Sequence, residues 1–337
     1  MIANDLPLVT VVIPLYNAEG FVAETVQSAL AQTYSNIEII VVDDGSTDRS
    51  PAIVKSFNDS RMIYVRQANA GVSVARNTGL ARAKGAVVAF LDSDDLWDAH
   101  KIEKHVDHLM RNPAVGVSYS ACRFIDANGN ALASVYRPKQ TGVTPADLYC
   151  RNPIAGGSSA VFRREIFEAI IEPHSGDGIA DYFDPRASAS GASYAEDHQC
   201  WLRMALHSPL QFEGVDEVLT SYRLHDAGLS AKVENMHQGW TAIDAYVAQH
   251  APDLHRTHSG IANAYQMRYF ARRLVAMGDA PRALSYMARS LRASVAPVYQ
   301  EPRKTLSTIA AAIAMLIVPG LVKRMLNPLK QSVESVG

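Results

Sequence analysis

Residues 86–95 read Ala86-Val87-Val88-Ala89-Phe90-Leu91-Asp92-Ser93-Asp94-Asp95. Six apolar positions without a break are the pattern of a short strand buried on both faces. Three carboxylates then follow within four residues. Two earlier stretches have the same form. Leu8-Val9-Thr10-Val11-Val12-Ile13 is a β-branched run stopped by Pro14 and followed by Tyr16-Asn17. Ile37 to Val42 is a second run, ending in Asp43-Asp44-Gly45-Ser46-Thr47-Asp48, where Ser46 or Thr47 would cap the next helix. Met62 to Val65 is a shorter run. Between them, Phe21, Val22, Val26, Ala29 and Leu30 fall at helical spacing, and a helix is expected over about 72–83.

Strands alternating with helices imply an α/β fold with a mostly parallel sheet covered on both faces. Ligands of such sheets lie beyond the carboxyl ends of the strands. The polar clusters fall at that edge. Beyond a helix at about 99–111 the pattern changes. Val115–Ile125 and Ala131–Tyr136 flank Ala127-Asn128-Gly129-Asn130, a hairpin signal. Further strands are expected at Ser158–Phe162 and Val218–Leu224, with a helix at Ala195–His207. Residues 172–194 are rich in Gly, Ser, Ala and Asp and read as a long active-site loop.

The 337 residues carry 32 Lys/Arg against 34 Asp/Glu, which excludes a generally basic nucleic-acid coat. Apolar residues make up 48%, ordinary for a globular chain. Cys122, Cys150 and Cys200 are odd in number and widely spaced, so neither a disulfide framework nor a zinc site is expected. Met1 to Pro7 lack the basic start of a secretory signal, and the reading is a cytoplasmic protein. His105, His108, His237, His250, His255 and His258 are scattered and read as surface residues.

Asp92-Ser93-Asp94 offers two hard oxygen donors to Mg²⁺ or Mn²⁺, which commonly complete their shell with water and substrate phosphate. Alone, the tripeptide is a weak signal that also fits a solvated turn or helix cap. Asp43-Asp44 fits a base or ribose acceptor, or an Asx turn. Tyr16 fits a stacking platform, or a half-buried aromatic, and Arg76 a phosphate contact, or an exposed helix cation.

In combination the motifs say more. Val11-Val12-Ile13-Pro14-Leu15-Tyr16-Asn17, Ile40-Val41-Val42-Asp43-Asp44-Gly45-Ser46-Thr47-Asp48, Asn69-Ala70-Gly71-Val72-Ser73-Val74-Ala75-Arg76-Asn77-Thr78-Gly79 and Ala89-Phe90-Leu91-Asp92-Ser93-Asp94-Asp95 resemble, in order and spacing, the family-2 glycosyltransferases of the GT-A fold. Ala195-Glu196-Asp197 with Trp201-Leu202-Arg203, and Tyr222-Arg223-Leu224-His225, extend the resemblance to about residue 230. It implies an inverting transferase with a nucleoside-diphosphate-sugar donor, most often UDP, a divalent metal and a glycan or lipid-linked acceptor in surface polysaccharide assembly. By motif, Pro14, Tyr16, Asp44, Arg76 and Asp92 would bind the nucleotide, with Asp94 and Asp92 on the metal. Asp197 would be the catalytic base, its pKa raised by adjacent Glu196. Gly156, Gly157, Glu196, Trp201, Arg223 and His225 would line the acceptor and diphosphate side. Two rivals are a nucleotidyltransferase of similar fold, which would want a Gly-rich loop where Pro14-Leu15-Tyr16-Asn17 stands, and a nucleotide-sugar-binding scaffold without turnover.

The resemblance divides the chain into a nucleotide-binding half (1–110), an acceptor and base half (111–230) and a helical extension (231–337). From His255 onward, 12 Lys/Arg face 3 Asp/Glu, whereas the preceding residues carry 20 against 31. Two amphipathic runs, about 263–277 and 281–293, meet at Gly278-Asp279-Ala280-Pro281 as a helical hairpin. Residues 305–322 are uncharged, with Arg303-Lys304 before and Lys323-Arg324 after. Such a segment fits an in-plane helix at an anionic membrane surface, a helix packed on the protein or on a second copy, or a short span.

Overall fold

The computed structural model describes residues 6–170, 181–184, 196–225 and 233–317. It is an α/β chain followed by helices. The chain divides into two compact units, residues 1–145 with 153–228, and residues 146–152 with 229–337.

In the first unit, β1 (Val9–Leu15), β2 (Ile37–Asp43), β3 (Met62–Arg66) and β4 (Val87–Phe90) pair in parallel in the order β3-β2-β1-β4. The sheet continues antiparallel through β8 (Ala160–Arg163) to β6 (Val115–Ile125). Strand β9 (Gln211–Arg223) runs parallel along the whole of β6, and β5 (Leu96–Trp97) closes the far edge on β9. The hairpin strand β7 (Ala131–Tyr136) pairs with the second half of β6.

Alternation decides which side chains go where. Val9, Val11, Ile13 and Leu15 pack with α1 (Val22–Leu30) and α4 (Lys101–Arg111), while Ile40 and Val42 on the other face meet Ala75 of α3 (Val72–Arg82). Gly79 lets α3 approach closely: a Cβ there would sit 2.3 Å from Val12 Cγ1. Strand β1 does not stop at Pro14 as expected. Pro14 continues it, opposite Val42, because the β4 ladder has already ended at Val12 opposite Phe90. The missing N–H therefore falls where no partner carbonyl waits. Neither Ser46 nor Thr47 caps α2 (Ser50–Ser56). Asp48 Oδ1 takes the Ser50 N–H at 2.9 Å, while Ser46 Oγ holds the Asn17 N–H at 3.1 Å and Thr47 donates to Asn17 Oδ1. Strand β9 begins earlier than expected, and the two-residue β5 carries no periodicity from which it was foreseeable. The expected loop 172–194 lies outside the described residues except for 181–184.

An aromatic cluster of Phe90, Phe162, Phe167, Phe183 and Trp201 packs beneath α6 (Glu196–His207), Trp201 stacking on Phe162 at 4.6 Å between ring centres. The cluster anchors the helix through Trp201.

The second unit consists of α5 (Pro145–Arg151, less its first residue) with α7 (Val233–His250), α8 (Pro252–Met277), α9 (Ala280–Ala293), α10 (Ala296–Gln300) and α11 (Pro302–Ile317). Gly278, at φ 85°, ends α8, and Asp279 caps α9 through the Arg282 N–H. Arg268 is buried on Thr305 and Glu301. The apolar helix expected at 305–322 begins earlier, at Pro302, and is described to Ile317. It buries Thr305, Thr308, Ala312 and Met315 and exposes Leu306, Ile313, Leu316 and Ile317. Among the described residues no helix is long and apolar enough to cross a membrane.

Candidate active site

The parallel register brings the ends of β1, β2 and β4 to one edge. Tyr16 leaves β1 half exposed. Asn17 turns left-handed at φ 47° and clasps the loop after β2 through its side-chain oxygen. In that second loop Gly45 takes φ 76°, and a Cβ would lie 2.9 Å from the Asn69 nitrogen. The loop can therefore press against residues 67–71. Asp44 holds them there: its carboxylate accepts from Gln67 Nε2 at 2.8 Å, from Ala70 N at 2.9 Å and from Gly71 N at 2.8 Å.

The turn after β4 is held from three sides. Thr25 of α1 donates to the carbonyls of Ser93 and Asp95 at 3.0 and 2.9 Å. Ser158 Oγ accepts the Asp92 N–H at 3.0 Å. Arg223, at the end of β9, grips the turn twice, its N–H on Asp95 Oδ1 at 2.9 Å and its Nε–H on the Asp94 carbonyl at 2.7 Å. The remaining guanidinium nitrogens of Arg223 go to the Ala127 carbonyl and to Glu24. Burial next to Asp94 and Asp92 pushes the Asp95 carboxyl well above the usual range. Two residues beyond Arg223, His225 Nε2 meets Asp94 Oδ2 at 2.8 Å.

Arg76 of α3 ties this turn to α6. Its guanidinium is 4% exposed and forms two ion pairs at 2.7 Å, one with Asp92 and one with Glu196. Asp197 follows Glu196 in the first turn of the helix, close enough that Arg76 and Asp92 both act on it. Burial raises the pKa of Asp197, Arg76 pulls it down, and the negative charge of Asp92 raises it again. The net direction is upward. Asp92 is thus a like-charge neighbour of Asp197 that the sequence reading did not name, and the adjacent Glu196 and Asp197 carboxylates also repel. Burial likewise lifts Glu196 against the pull of Arg76.

Gly157 sits at the junction, where a Cβ would lie 3.3 Å from Arg76 Nη2 and 3.7 Å from Asp92 Oδ2. Gly156 backs onto the Tyr222 ring. One sequence expectation needs correction. Trp201 is fully buried in the aromatic cluster and anchors α6 from below; it does not line a cleft. Arg223 stands beside the turn after β4 and is paired with it and with Glu24. Arg76 is enclosed by two carboxylates, which joins the two halves of the site. Pro14 is a buried strand residue, and Tyr16 is the exposed residue at that strand end. Sequence reasoning passed over Thr25, Glu24, Asp95 and Ser158; Asp95 sat inside a quoted motif and Ser158 opened an expected strand, while Thr25 and Glu24 had no signal beyond their helix.

Among the described residues no three His, Cys, Asp or Glu side chains converge as a ready metal cage. The donor set still suits a hard or borderline cation. The Asp94 carboxylate and His225 imidazole are paired and partly open, and Asp92 lies two residues away. Two or three protein donors fit an ion that draws its other ligands from substrate phosphate and water.

The profile described as "Glycosyl transferase family 2" matches residues 10–171. Over 227 residues the chain is 33% identical to the Escherichia coli enzyme WfaP, described as a UDP-Glc:alpha-D-GlcNAc-diphosphoundecaprenol beta-1,3-glucosyltransferase, covering 67% of this chain and 81% of WfaP. The chain belongs to glycosyl transferase family 2. Of three other curated glycosyltransferases that it matches, it spans 17%, 55% and 53% of the length. The fold of this family member agrees with that of Staphylococcus aureus TarS 1–349 in complex with UDP, at TM-score 0.59 and 16% identity, covering 91% of this chain and 90% of TarS 1–349. It also agrees with the mannosyltransferase PcManGT of Pyrobaculum calidifontis, solved with GDP-Man and Mn²⁺, at TM-score 0.57 and 21% identity, covering 94% of this chain and 89% of that one.

Proposed function

We propose that this protein is an inverting glycosyltransferase that moves a sugar from a nucleoside diphosphate, UDP in the first instance, to a glycan or lipid-linked acceptor in surface polysaccharide assembly. The observation that carries it is Arg76, whose two ion pairs tie the carboxylate turn after β4 to the Glu196-Asp197 pair. An inverting displacement needs a cation at the leaving diphosphate and a base on the opposite side of the sugar. Asp94 with His225, and Asp92 beside them, supply the first; Asp197, from a distant segment, supplies the second. Tyr16 would stack on the base, with Asp44 holding the rim behind it.

When bound, Mn²⁺ or Mg²⁺ would neutralise charge on the departing diphosphate. Asp197 takes the proton of the acceptor hydroxyl as that oxygen attacks, and its raised pKa makes it the stronger base. Gly156 and Gly157 let the backbone lie close against Tyr222 and Arg76 on the acceptor side. The UDP-Glc donor and diphosphoundecaprenol-linked acceptor of WfaP support the UDP-sugar and lipid-linked choices, and the Mn²⁺ complex of PcManGT supports the metal. A donor panel with Mn²⁺, scored by free nucleotide release, tests the reading. UDP release from one UDP-sugar, abolished by EDTA and restored by Mn²⁺, is expected; release unaffected by chelation would remove the metal role.

For the helical unit we propose peripheral contact with an anionic membrane surface. The exposed stripe of Leu306, Ile313, Leu316 and Ile317 on α11, with Arg303 and Lys304 at its start, has the make-up of an interfacial helix. Flotation with vesicles containing phosphatidylglycerol should carry the full chain and leave Leu306→Ser/Ile313→Ser/Ile317→Ser behind. Equal flotation of both would exclude the stripe as the contact.

A further inference from the structure

Beneath the site lies a buried polar file that the transfer chemistry does not use. Lys101 of α4 is fully buried, and its Nζ donates to the Ser159 carbonyl at 3.1 Å. The same nitrogen lies 3.1 Å from His105 Nε2 and 5.5 Å from the centre of the Trp97 ring. His105 Nδ1 reaches Ser118 Oγ at 2.7 Å, and that hydroxyl reaches His108 Nδ1 at 2.7 Å. His108 Nε2 then lies 3.4 Å from Glu213 Oε2, at the partly exposed end. His105 and His108, expected on the surface, are therefore buried and half-buried members of one file.

A single proton assignment satisfies every hydrogen bond. Lys101 donates to His105 Nε2, His105 Nδ1–H to Ser118 and Ser118 to His108 Nδ1, with His108 Nε2 facing Glu213. His105 is then neutral, which agrees with burial and Lys101 pushing it well below its usual range.

The inner end of the file touches the turn that builds the site. Ser159 belongs to the 3₁₀ turn Gly157–Ser159. In that turn Gly157 faces Arg76 and Asp92, and Ser158 holds the Asp92 N–H. We propose that Lys101 is a positioning residue for transfer: from below, it fixes the Gly157–Ser159 turn and so the placing of Asp92 against Arg76, and the file to Glu213 couples that turn to the pH outside. This rests on the glycosyl-transfer reading for its kinetic half.

The titratable groups around Lys101 are His105 on its own helix, Cys122 of β6 and, beyond Cys122, the buried Asp95 carboxyl. Burial holds the Cys122 thiol at about 12, so it stays neutral. Burial also brings Lys101 down to about 7. Its charged form makes the stronger bond to the Ser159 carbonyl, and that bond weakens as pH rises.

The test uses the full chain. The wild-type kcat–pH profile should fall on the alkaline side with a midpoint near the value of about 7 for Lys101. Lys101→Met keeps the volume, should lower kcat roughly 10–100-fold with donor KM little changed, and should lose that limb. Ser118→Ala leaves the lysine in place. It strips the acceptor from His105 Nδ1–H, favours the tautomer protonated at Nε2, and so favours neutral Lys101. The limb should move to lower pH by roughly half a pH unit. The proposal is overturned if Lys101→Met keeps the wild-type kcat and profile, or if Ser118→Ala leaves the limb in place.

A second readout needs no turnover. The unfolded chain binds the Lys101 proton up to about pH 10, the folded chain only to about 7, so wild-type stability gains with pH across that window. The Tm of wild type minus that of Lys101→Met should rise over it, and a flat difference would overturn the buried-amine half. A wild type that releases no nucleotide from any donor, yet has the rising Tm difference, would remove the transfer reading and support the lysine assignment.

Discussion

Asp197→Asn is expected to lower kcat by ~10²–10⁴ while leaving UDP affinity within about twofold, the range for loss of one general base. The amide has nearly the same shape, keeps an oxygen for the His198 N–H that Asp197 Oδ1 now accepts at 2.6 Å, and cannot take a proton from an acceptor hydroxyl. The residue works only when ionised. Its pKa is raised by burial and by Asp92, so the acidic limb of the wild-type profile should lie above that of an ordinary carboxylate. The rate should fall as pH drops through that value, and the residual rate of the variant should not follow this limb. Initial rates with saturating UDP-sugar, beside UDP titration by calorimetry, separate the two effects. Full turnover by Asp197→Asn would end the assignment; loss of UDP binding would move the residue to the donor pocket.

Arg76→Met should be the most destabilising single change at the site. The arginine has Asp92 and Glu196 each at 2.7 Å, and Glu196 is 7% exposed. Removing one partner of a buried ion pair strands the other charges, at a cost of about 3–5 kcal/mol. The pH dependence has a definite sign. Without Arg76 the Glu196 carboxyl, already raised by burial to about 7, rises further. The penalty is therefore fully present only above that raised range and shrinks as pH falls and the carboxyl protonates in both proteins. Urea unfolding at pH 7.5 and pH 5 should give a larger deficit at the higher pH. Arg76→Lys, which keeps the charge and loses the two-pronged geometry, should fall between the two. A deficit below about 1 kcal/mol at both pH values would mean the carboxylates do not depend on Arg76.

The way these two residues appear in the sequence explains what was legible. Asp197 was found by motif, and its role follows from standing in a different segment from Asp94. Arg76 was also found by motif, but nothing local to α3 says that Glu196, 120 residues later, arrives beside it. Trp201 was misread because its surroundings are equally non-local. A tryptophan next to a catalytic pair suits either a cleft or a core, and only the packing of Phe90, Phe162 and Phe183 around it decides. Lys101 and His105 stand on a helix with charged neighbours, where a solvated face is the ordinary expectation. Their burial depends on β5, β6 and the Gly157–Ser159 turn closing over them.

The local code by itself determined the α/β alternation, the parallel sheet edge and the carboxylates beyond it, since burial on both faces requires unbroken apolar runs and strand ends require polar stops. Pairings between distant segments were decided by the tertiary structure alone: Arg76 with Glu196, His225 with Asp94, Lys101 with Ser159. The reason is that burying a charge is tolerable only beside a partner, and in this fold those partners come from strands and helices far apart along the chain.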